Sequence, residues 1–319
     1  MENFSGILTI TVFLPLVGAI IIALAINGAK SIRYFAVIVG LIELILTSIV
    51  FFGYEKGGDQ YQFVDKTSEW IPFESLNVNY FLAVDGLSAP LVLLSGLLGI
   101  SAIFASLGIK QRVKEYFVWL LVLQTAVVGV FTALDFILFF LLWELELIPM
   151  FFLISIWGSG RKEYSAMKFL IFTFLASAFM LIGILALYFS SGIHTFDMTE
   201  LPSKIQTATL IIPSGLIFTL LFIGFAVKLP VWPLHTWLPD AHTDAPTAVS
   251  VMLAGVLLKM GGYGMLRVSV SMFPNVITEV AWILIILGVI NVLYGAIITL
   301  RQTDLKRLIA FSSISHMGY

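Results

Sequence analysis

The chain has 319 residues, of which 60% are hydrophobic and only 11% are charged, with a formal net charge of −2. Soluble domains average about 45–50% apolar and about 25% charged residues, so this composition predicts a protein that crosses a membrane several times. The small net charge offers no basic surface for nucleic acid. The absence of cysteine excludes disulfides, thiolate catalysis and iron–sulfur ligation by this chain.

Length and hydropathy predict nine membrane spans. A spanning helix needs about 20 consecutive, mostly apolar residues. The segments that meet this condition are 5–26, 32–54, 84–108, 115–134, 136–158, 165–190, 209–229, 247–268 and 279–300. A tenth span begins near 305 and is incomplete at Tyr319, so we expect a chain that is truncated at its C-terminus. The longest loop, 55–83, has alternating polar and apolar residues that are typical of a hairpin outside the membrane.

Basic residues predict the orientation of the spans, because cytoplasmic loops are rich in lysine and arginine. One set of alternate loops holds eleven basic residues: Lys30, Arg33, Lys110, Arg112, Lys114, Arg161, Lys162, Lys168, Arg301, Lys306 and Arg307. The opposite set holds four: Lys56, Lys66, Lys204 and Arg267. We therefore expect a multi-pass protein of a bacterial inner membrane with its N-terminus on the outer side. Only Lys228 and Lys259 have no place at a surface.

Lys228 lies at the end of the seventh predicted span, where the sequence reads KLPVWPLHTWLP. A charge at bilayer depth costs at least about 2.5–3.5 kcal/mol, which favours a functional reason for keeping it. Pro230 and Pro233 interrupt the helix and free the carbonyls of Ala226 and Leu229 on either side of the lysine. These features predict a proton-carrying lysine beside a broken helix. The alternative is a lysine whose long side chain reaches the membrane surface from a helix end.

Glu144 and Glu146 lie in the fifth predicted span, FILFFLLWELELIPMFFLI. Two positions on a continuous helix differ by about 200°, so only one of the two carboxylates is expected to face a given polar interior. Pro149 frees the carbonyl of Leu145 and loosens the turn beside them. We expect Glu144 to carry protons and to pair with a lysine on a facing helix. The alternative, stronger for Glu146, is a structural ion pair between helices or a contact with another subunit.

Lys259 lies in mid-span, after a run of apolar residues and before MGGYG, whose glycines permit close helix packing. Because a lysine at that depth cannot easily reach the surface, we expect it to belong to a polar pathway. Glu43, also in mid-span, suggests a contact with a neighbouring subunit. Asp135 lies at a helix end and is expected to cap it.

Three histidines are candidates for proton relays, since histidine titrates near neutral pH. His235 and His242 lie in the segment between the two lysines, and His316 lies on the incomplete tenth span. For His316, hydrogen bonding in the core is an equal alternative. Asp240 and Asp244 accompany the first two, but the spacing matches no zinc motif, so no metal is expected. The chain also lacks a phosphate loop, a nucleophile elbow and a dinucleotide fingerprint, so no catalytic residue is predicted.

Several of these segments together resemble a known family. WELELIPMFFLI, KLPVWPLHTWLPDAHTDAPTAVSVMLAGVLLKMGGYG, TDLKRLIAFSSISHMGY and YFLAVDGLSAPLVLLSGLL are similar to the antiporter-like membrane subunits of respiratory complex I. Within that family the chain is most similar to the subunit M group, the counterparts of mitochondrial subunit 4. The resemblance covers essentially the whole chain, and segment 228–264 carries its most specific motifs.

The resemblance implies an all-α polytopic fold, an antiporter-like bundle of two inverted five-helix repeats with a proline-broken seventh helix. Its implied divisions are spans 1–3 over 1–114, a first repeat over 115–268 and the start of a second over 279–319. It also implies that Glu144 pairs with Lys228, that Lys259 passes protons onward, and that His316 belongs to a central hydrated axis. The family's charged residue on the twelfth helix lies beyond Tyr319.

The function that the resemblance implies is a proton-translocating, non-redox subunit of NADH-quinone oxidoreductase. Its expected partners are other membrane subunits of complex I and the lipid bilayer, with no nucleic acid. FMN, iron–sulfur clusters and quinone would belong to the complex, with no cofactor bound by this chain. The alternatives are a subunit of a multisubunit cation/proton antiporter and a purely structural scaffold subunit.

Overall fold

The computed structural model describes residues 5–71, 78–190, 194–207 and 210–319. The helices of the first half are α1 (Ile7–Leu24), α2 (Ala29–Phe52), α3 (Ser88–Ala105), α4 (Val113–Thr132), α5 (Phe136–Leu145), α6 (Leu147–Trp157) and α7 (Lys162–Ser190). Those of the second half are α8 (Leu201–Thr207), α9 (Ser214–Lys228), α10 (Trp237–Asp244), α11 (Thr247–Met252), α12 (Leu258–Gly264), α13 (Pro274–Thr299) and α14 (Leu305–Met317). Two π-helical segments, Leu253–Leu257 and Met265–Val270, flank α12.

The helices coincide with the predicted spans. Within the described residues, eight segments are long and apolar enough to cross a bilayer, and α9 is a shorter apolar helix. One of the eight, Phe136–Trp157, consists of α5 and α6, and another, Thr247–Val270, combines α11, α12 and the π-helical segments. The predicted all-α polytopic fold is therefore confirmed.

The predicted hairpin in the long loop is also confirmed. Strands β1 (Gln62–Ile71) and β2 (Val78–Val84) pair antiparallel, with Asp65 opposite Leu82. Pro72 and the neighbouring residues up to 77 lie outside the described residues. The carboxylate of Asp65 reaches from β1 to the first turn of α1, where it accepts hydrogen bonds from Ser5, Gly6 and Thr9. The hairpin thus supplies the N-terminal cap of a membrane helix.

The loops gather at two ends of the bundle, as alternating spans require. At the hairpin end, Asn79 N–H donates to the carboxylate of Asp135, and Lys66 pairs with Asp197 at 2.8 Å. At the opposite end, the indole of Trp157 donates to the carbonyl of Gln111. Helix α4 is the most enclosed of the long helices, packed against α1, α3, α5 and α6. Helices α5 and α6 pack against α4, and α12 packs against both α4 and α9.

One expectation about the first spans is wrong. Glu43 of α2 was expected to contact a neighbouring subunit, but only 1% of its surface is exposed in this chain. Its side chain faces a small cavity lined by α1, α3 and α4 of the same chain. The period of α2 turns this position toward the bundle interior, together with the buried Val39, Gly40 and Thr47.

Candidate functional site

Lys228 is the last residue of α9, at the point where the seventh span breaks. The chain continues through turns and resumes as α10 at Trp237, so the predicted break at Pro230 and Pro233 is confirmed. The carbonyl of Ala226, which Pro230 cannot bond, accepts a hydrogen bond from Val231 N–H at 2.9 Å. Lys228 is 2% exposed, so its side chain does not reach the surface. A lysine held in this way must be solvated by the protein itself.

The direct partner of Lys228 is Glu146, whose carboxylate is in contact with the lysine ammonium. Glu146 is itself 0% exposed. The ammonium also lies 5.0 Å from the centre of the Trp143 ring, within the range of a cation–π interaction. A fully buried ion pair therefore joins α9 to the junction of α5 and α6.

This pairing corrects the expectation that Glu144 is the direct partner. The family resemblance implied the pairing of Glu144 with Lys228, whereas Glu146 lies at the turn between the end of α5 at Leu145 and the start of α6 at Leu147. Pro149 cannot donate to the carbonyl of Leu145, but the backbone of Glu146 stays in the α-helical region, with φ −71° and ψ −24°. From this turn the carboxylate of Glu146 contacts Lys228.

Glu144 remains within electrostatic range of Lys228. It is half-buried, in contrast to Glu146. Both carboxylates thus act on the same lysine, one by contact and one at a distance. Two acids beside one base allow a proton or a charge to be exchanged among three groups.

Lys259 lies at the start of α12, directly after the first π-helical segment. Its ammonium donates a hydrogen bond to the carbonyl of Ala254 at 2.6 Å. A π-helical turn widens the backbone and changes which carbonyls the helix itself uses, and such turns often mark functional sites. In the described part of the chain no carboxylate forms an ion pair with Lys259. The backbone, not an acid, stabilises the amine of Lys259, which is half-buried.

Glycine allows α12 to approach the break in the seventh span. A Cβ atom built on Gly261 would lie only 2.6 Å from the backbone nitrogen of Leu229. Gly264 is similarly close to the ring of Phe225. The predicted role of MGGYG in close helix packing is therefore confirmed, and it places the helix of Lys259 directly against that of Lys228.

The histidines are distributed unevenly. His235 is buried in the break, with its Nε2 atom 3.1 Å from the hydroxyl of Tyr294. His242 is buried on α10, and neither of its ring nitrogens has a partner among the described residues. His316 is exposed on α14, with its Nε2 atom 3.4 Å from the hydroxyl of Ser312. The structure brings the first two into the segment that follows Lys228 but does not bring His316 there.

Asp240 and Asp244 hold α10 and α7 together. Asp240 forms an ion pair with Lys168 of α7 at 2.7 Å. Asp244 accepts a hydrogen bond from the hydroxyl of Ser165 at 2.6 Å. These contacts fix α10 against α7, which agrees with a structural role for both aspartates.

Sequence analysis missed Asn291 of α13. Its side-chain oxygen accepts from Trp232 N–H at 2.7 Å, and its amide nitrogen donates to the carbonyl of Pro230 at 3.3 Å. Asn291 is buried and Tyr294, one turn further on, contacts His235. The Trp232 N–H and the Pro230 carbonyl both belong to the segment in which the prolines interrupt the helix. A lone amide in the middle of an otherwise apolar helix was the available signal.

Fold and site define the class of this protein: a helical membrane protein with an intramembrane ion pair where two of its helices break. A family model described as "NADH:quinone oxidoreductase/Mrp antiporter, TM" matches residues 133–319. The chain belongs to this family.

Curated relatives include NAD(P)H-quinone oxidoreductase chain 4 proteins from Thermosynechococcus vestitus, 45% identical, and from a Synechocystis species, 42% identical. The alignments cover 98% and 100% of this chain but 58% and 56% of those proteins, so the chain spans little more than half of their length.

Two solved structures share the fold at 24% identity. One is a chain of respiratory complex I from Thermus thermophilus, with a TM-score of 0.83. The other is a chain of the membrane-bound sulfane sulfur reductase, an archaeal respiratory membrane complex, with a TM-score of 0.85. Each match covers 98% of this chain and 63% of the other.

Proposed function

We propose that this chain is a proton-translocating, non-redox membrane subunit of NADH-quinone oxidoreductase. The observation that carries the proposal is the buried Lys228–Glu146 ion pair at the junction of two broken helices. The chain-4 relatives give the kind of complex in which such a subunit works.

The ion pair makes the proton on Lys228 depend on the position of another helix. In a low-dielectric interior, a carboxylate in contact with an ammonium stabilises the charged form of the lysine, and its withdrawal favours release of the proton. A small displacement at the α5–α6 junction would therefore change the proton affinity of Lys228. Glu144 would take part as the second acid acting on the same lysine.

Lys259 is the proposed acceptor further along the pathway. It has a carbonyl partner and no paired acid in the described chain, so its proton is held by local backbone and solvent. His235 and His242 are proposed as relays on the entry side, because they lie in the broken segment between the two lysines. His316, which is exposed on α14, is proposed as a relay closer to the central axis.

The proposed setting is a bacterial inner membrane, with the lysine- and arginine-rich loops in the cytoplasm and the N-terminus outside. The partners would be the other membrane subunits of the complex. FMN, iron–sulfur clusters and quinone would be held by those other subunits and by the peripheral arm. This chain has no cysteine to ligate an iron–sulfur cluster.

The test uses the full-length protein in its intact complex, reconstituted in vesicles. Lys228→Ala and Lys259→Ala should each strongly reduce proton pumping and the quinone reductase activity coupled to it. Lys110→Ala, at an exposed loop lysine, serves as the matched control and should leave both unchanged. Normal pumping in both buried-lysine variants would refute the proposal and favour a structural scaffold.

A cation/proton antiporter subunit is the second candidate, because the matching family model includes the Mrp antiporters. The two candidates share the buried lysines and differ in what they assemble with. Co-purification of the tagged full-length protein decides between them. A partner arm with flavin and iron–sulfur clusters supports the oxidoreductase, and sodium-dependent proton exchange without such an arm supports the antiporter.

A further inference from the structure

Glu43 is a further buried acid and lies on a different helix from Lys228 and Lys259. It lies in the middle of α2, where its residue is 1% exposed, and neither carboxylate oxygen has a hydrogen-bond partner among the described residues. Among the described residues no lysine, arginine or histidine forms an ion pair with it, in contrast to Glu146. The mechanism proposed above does not use this group.

The carboxylate of Glu43 faces an enclosed cavity of about 10 Å³ between α1, α2, α3 and α4. That volume is about the size of a single water molecule. Glycine shapes its wall: a Cβ atom on Gly40 would overlap Ile100 and Ile103, and one on Gly99 would overlap Gln124. The cavity therefore exists because these helices approach closely around an acid.

Gln124 of α4 is the polar group across the cavity. Its amide nitrogen donates to the carbonyl of Ser95 at 2.8 Å, while its side-chain oxygen is buried without a partner among the described residues. An ionised carboxylate can only accept hydrogen bonds, so it offers nothing to that oxygen. A neutral carboxylic acid has an O–H that can donate, either directly or through one water molecule.

Burial and hydrogen bonding thus favour the same form of Glu43. An isolated carboxylate in an apolar interior loses its hydration without a cation to replace it, which is far more costly than burying the neutral acid. We propose that Glu43 and Gln124 form a site that binds one proton and one water molecule, with Glu43 held as the neutral acid. This site lies in the first four spans and is independent of the lysine pathway.

Infrared spectroscopy of the full-length protein in its complex tests the proposal. A neutral carboxylic acid has a C=O stretching band at higher frequency than carboxylate bands, and the band shifts when its proton is replaced by deuterium. Wild type minus Glu43→Gln, recorded at neutral pH, should show one such band per chain. Glu163→Gln, at an exposed glutamate, is the matched control and should remove carboxylate bands only.

Gln124→Leu keeps the acid and removes its acceptor, which gives a second measurement if Glu43→Gln fails to assemble. The acid band should persist in this variant and move to higher frequency, because a hydrogen bond to the O–H has been lost. Proton pumping should be unchanged in Glu43→Gln, since glutamine is also neutral. Loss of carboxylate bands in Glu43→Gln, or an unshifted acid band in Gln124→Leu, would overturn the proposal.

Discussion

The helices of Lys228 and Lys259 both place an ammonium group inside the bundle, and the two ammonium groups are stabilised in different ways. At Lys228 two prolines end the helix, and the charge is neutralised by Glu146 from another span. At Lys259 the helix continues but widens into a π-helical segment, and a carbonyl one turn away accepts from the ammonium. The first arrangement makes the lysine sensitive to a neighbouring helix, whereas the second keeps its partner within the same helix.

The largest difference is expected when each lysine is removed. Lys228→Ala leaves Glu146 buried and unpaired, a situation that costs about 3–5 kcal/mol. Lys259→Ala removes one hydrogen bond to a carbonyl, which is worth about 1.5–3 kcal/mol when the donor is charged. Thermal unfolding of the two purified variants should show a clearly larger loss for Lys228→Ala.

A double variant separates the charge from the packing. Lys228→Met with Glu146→Gln removes both members of the pair and leaves no buried charge, so most of the lost stability should return. Pumping should stay low, because no titratable amine remains at position 228. Equal destabilisation of the single and double variants would show that the ion pair is not what holds this junction.

The contact between the two lysine helices can be broken at one glycine. Gly261→Ala places a methyl group 2.6 Å from the backbone nitrogen of Leu229, and overpacking of this kind costs about 1–3 kcal/mol. Gly262→Ala is the control on the next residue, where the nearest atom is a flexible Leu229 methyl at 3.5 Å. Stability and pumping should fall only in the first variant, and similar values for both would contradict the close packing of α12 on α9.

Asn291 tests how far the broken segment after Lys228 depends on its contacts with α13. Asn291→Ala leaves Trp232 N–H and the Pro230 carbonyl without their partner, at about 1–3 kcal/mol for an unsatisfied buried group. Asn275→Ala, an exposed position on the same helix, is the control. In Asn291→Ala alone, hydrogen–deuterium exchange should become faster in the broken segment, including at Trp232. Unchanged exchange in that segment would show that Asn291 does not hold it in place.

The smallest expected effect on stability comes from Asp135, a buried acid at the start of the fifth span that, unlike Glu146, forms no ion pair with a lysine among the described residues. It lies between the candidate spans Val113–Thr132 and Phe136–Trp157, at the start of α5. Burial and nearby Asp197 raise the pKa of Asp135 from 3.8 to about 6, although three backbone N–H groups oppose the shift. A raised pKa contributes stability below about pH 4 that is lost as pH rises through about 6.

The thermal midpoint should therefore rise when the pH is lowered from about 7 to about 5, within the window set by these pKa values. Asp135→Asn removes the titration and should flatten this part of the profile by about 1 kcal/mol, well under the about 2.7 kcal/mol that two pKa units allow. Parallel profiles for wild type and Asp135→Asn would show that another group is responsible.

Much of the fold followed from hydropathy and proline. All nine spans were predicted because length and apolar composition are properties of the local sequence, and the break after Lys228 was predicted because proline lacks an N–H. The π-helical segments beside Lys259 could not be predicted in the same way. Neither segment has a proline: the first, LAGVL, is apolar, and the second, MLRVSV, has only Arg267 and Ser269 as polar residues, so the local pattern is that of an ordinary helix.

The sequence predicted which residues belong to the candidate site but not which glutamate pairs with Lys228. Lys228 and a glutamate of the fifth span were identified, yet the choice between Glu144 and Glu146 depended on helix geometry beyond the break. Asn291 and Gln124 show the same limit, since each acts on groups more than twenty residues away. The family resemblance supplied the expected fold, and tertiary contacts decided which side chains meet.

Asp65 places a constraint on how the chain enters the membrane. The first turn of α1 donates hydrogen bonds to the carboxylate of a residue that follows the whole of α2 in the sequence. During synthesis, α1 must therefore be inserted before the carboxylate that completes its N-terminus has been made. The first two spans and the hairpin are thus expected to mature as one unit, with the start of the first helix frayed until β1 has crossed to the same side.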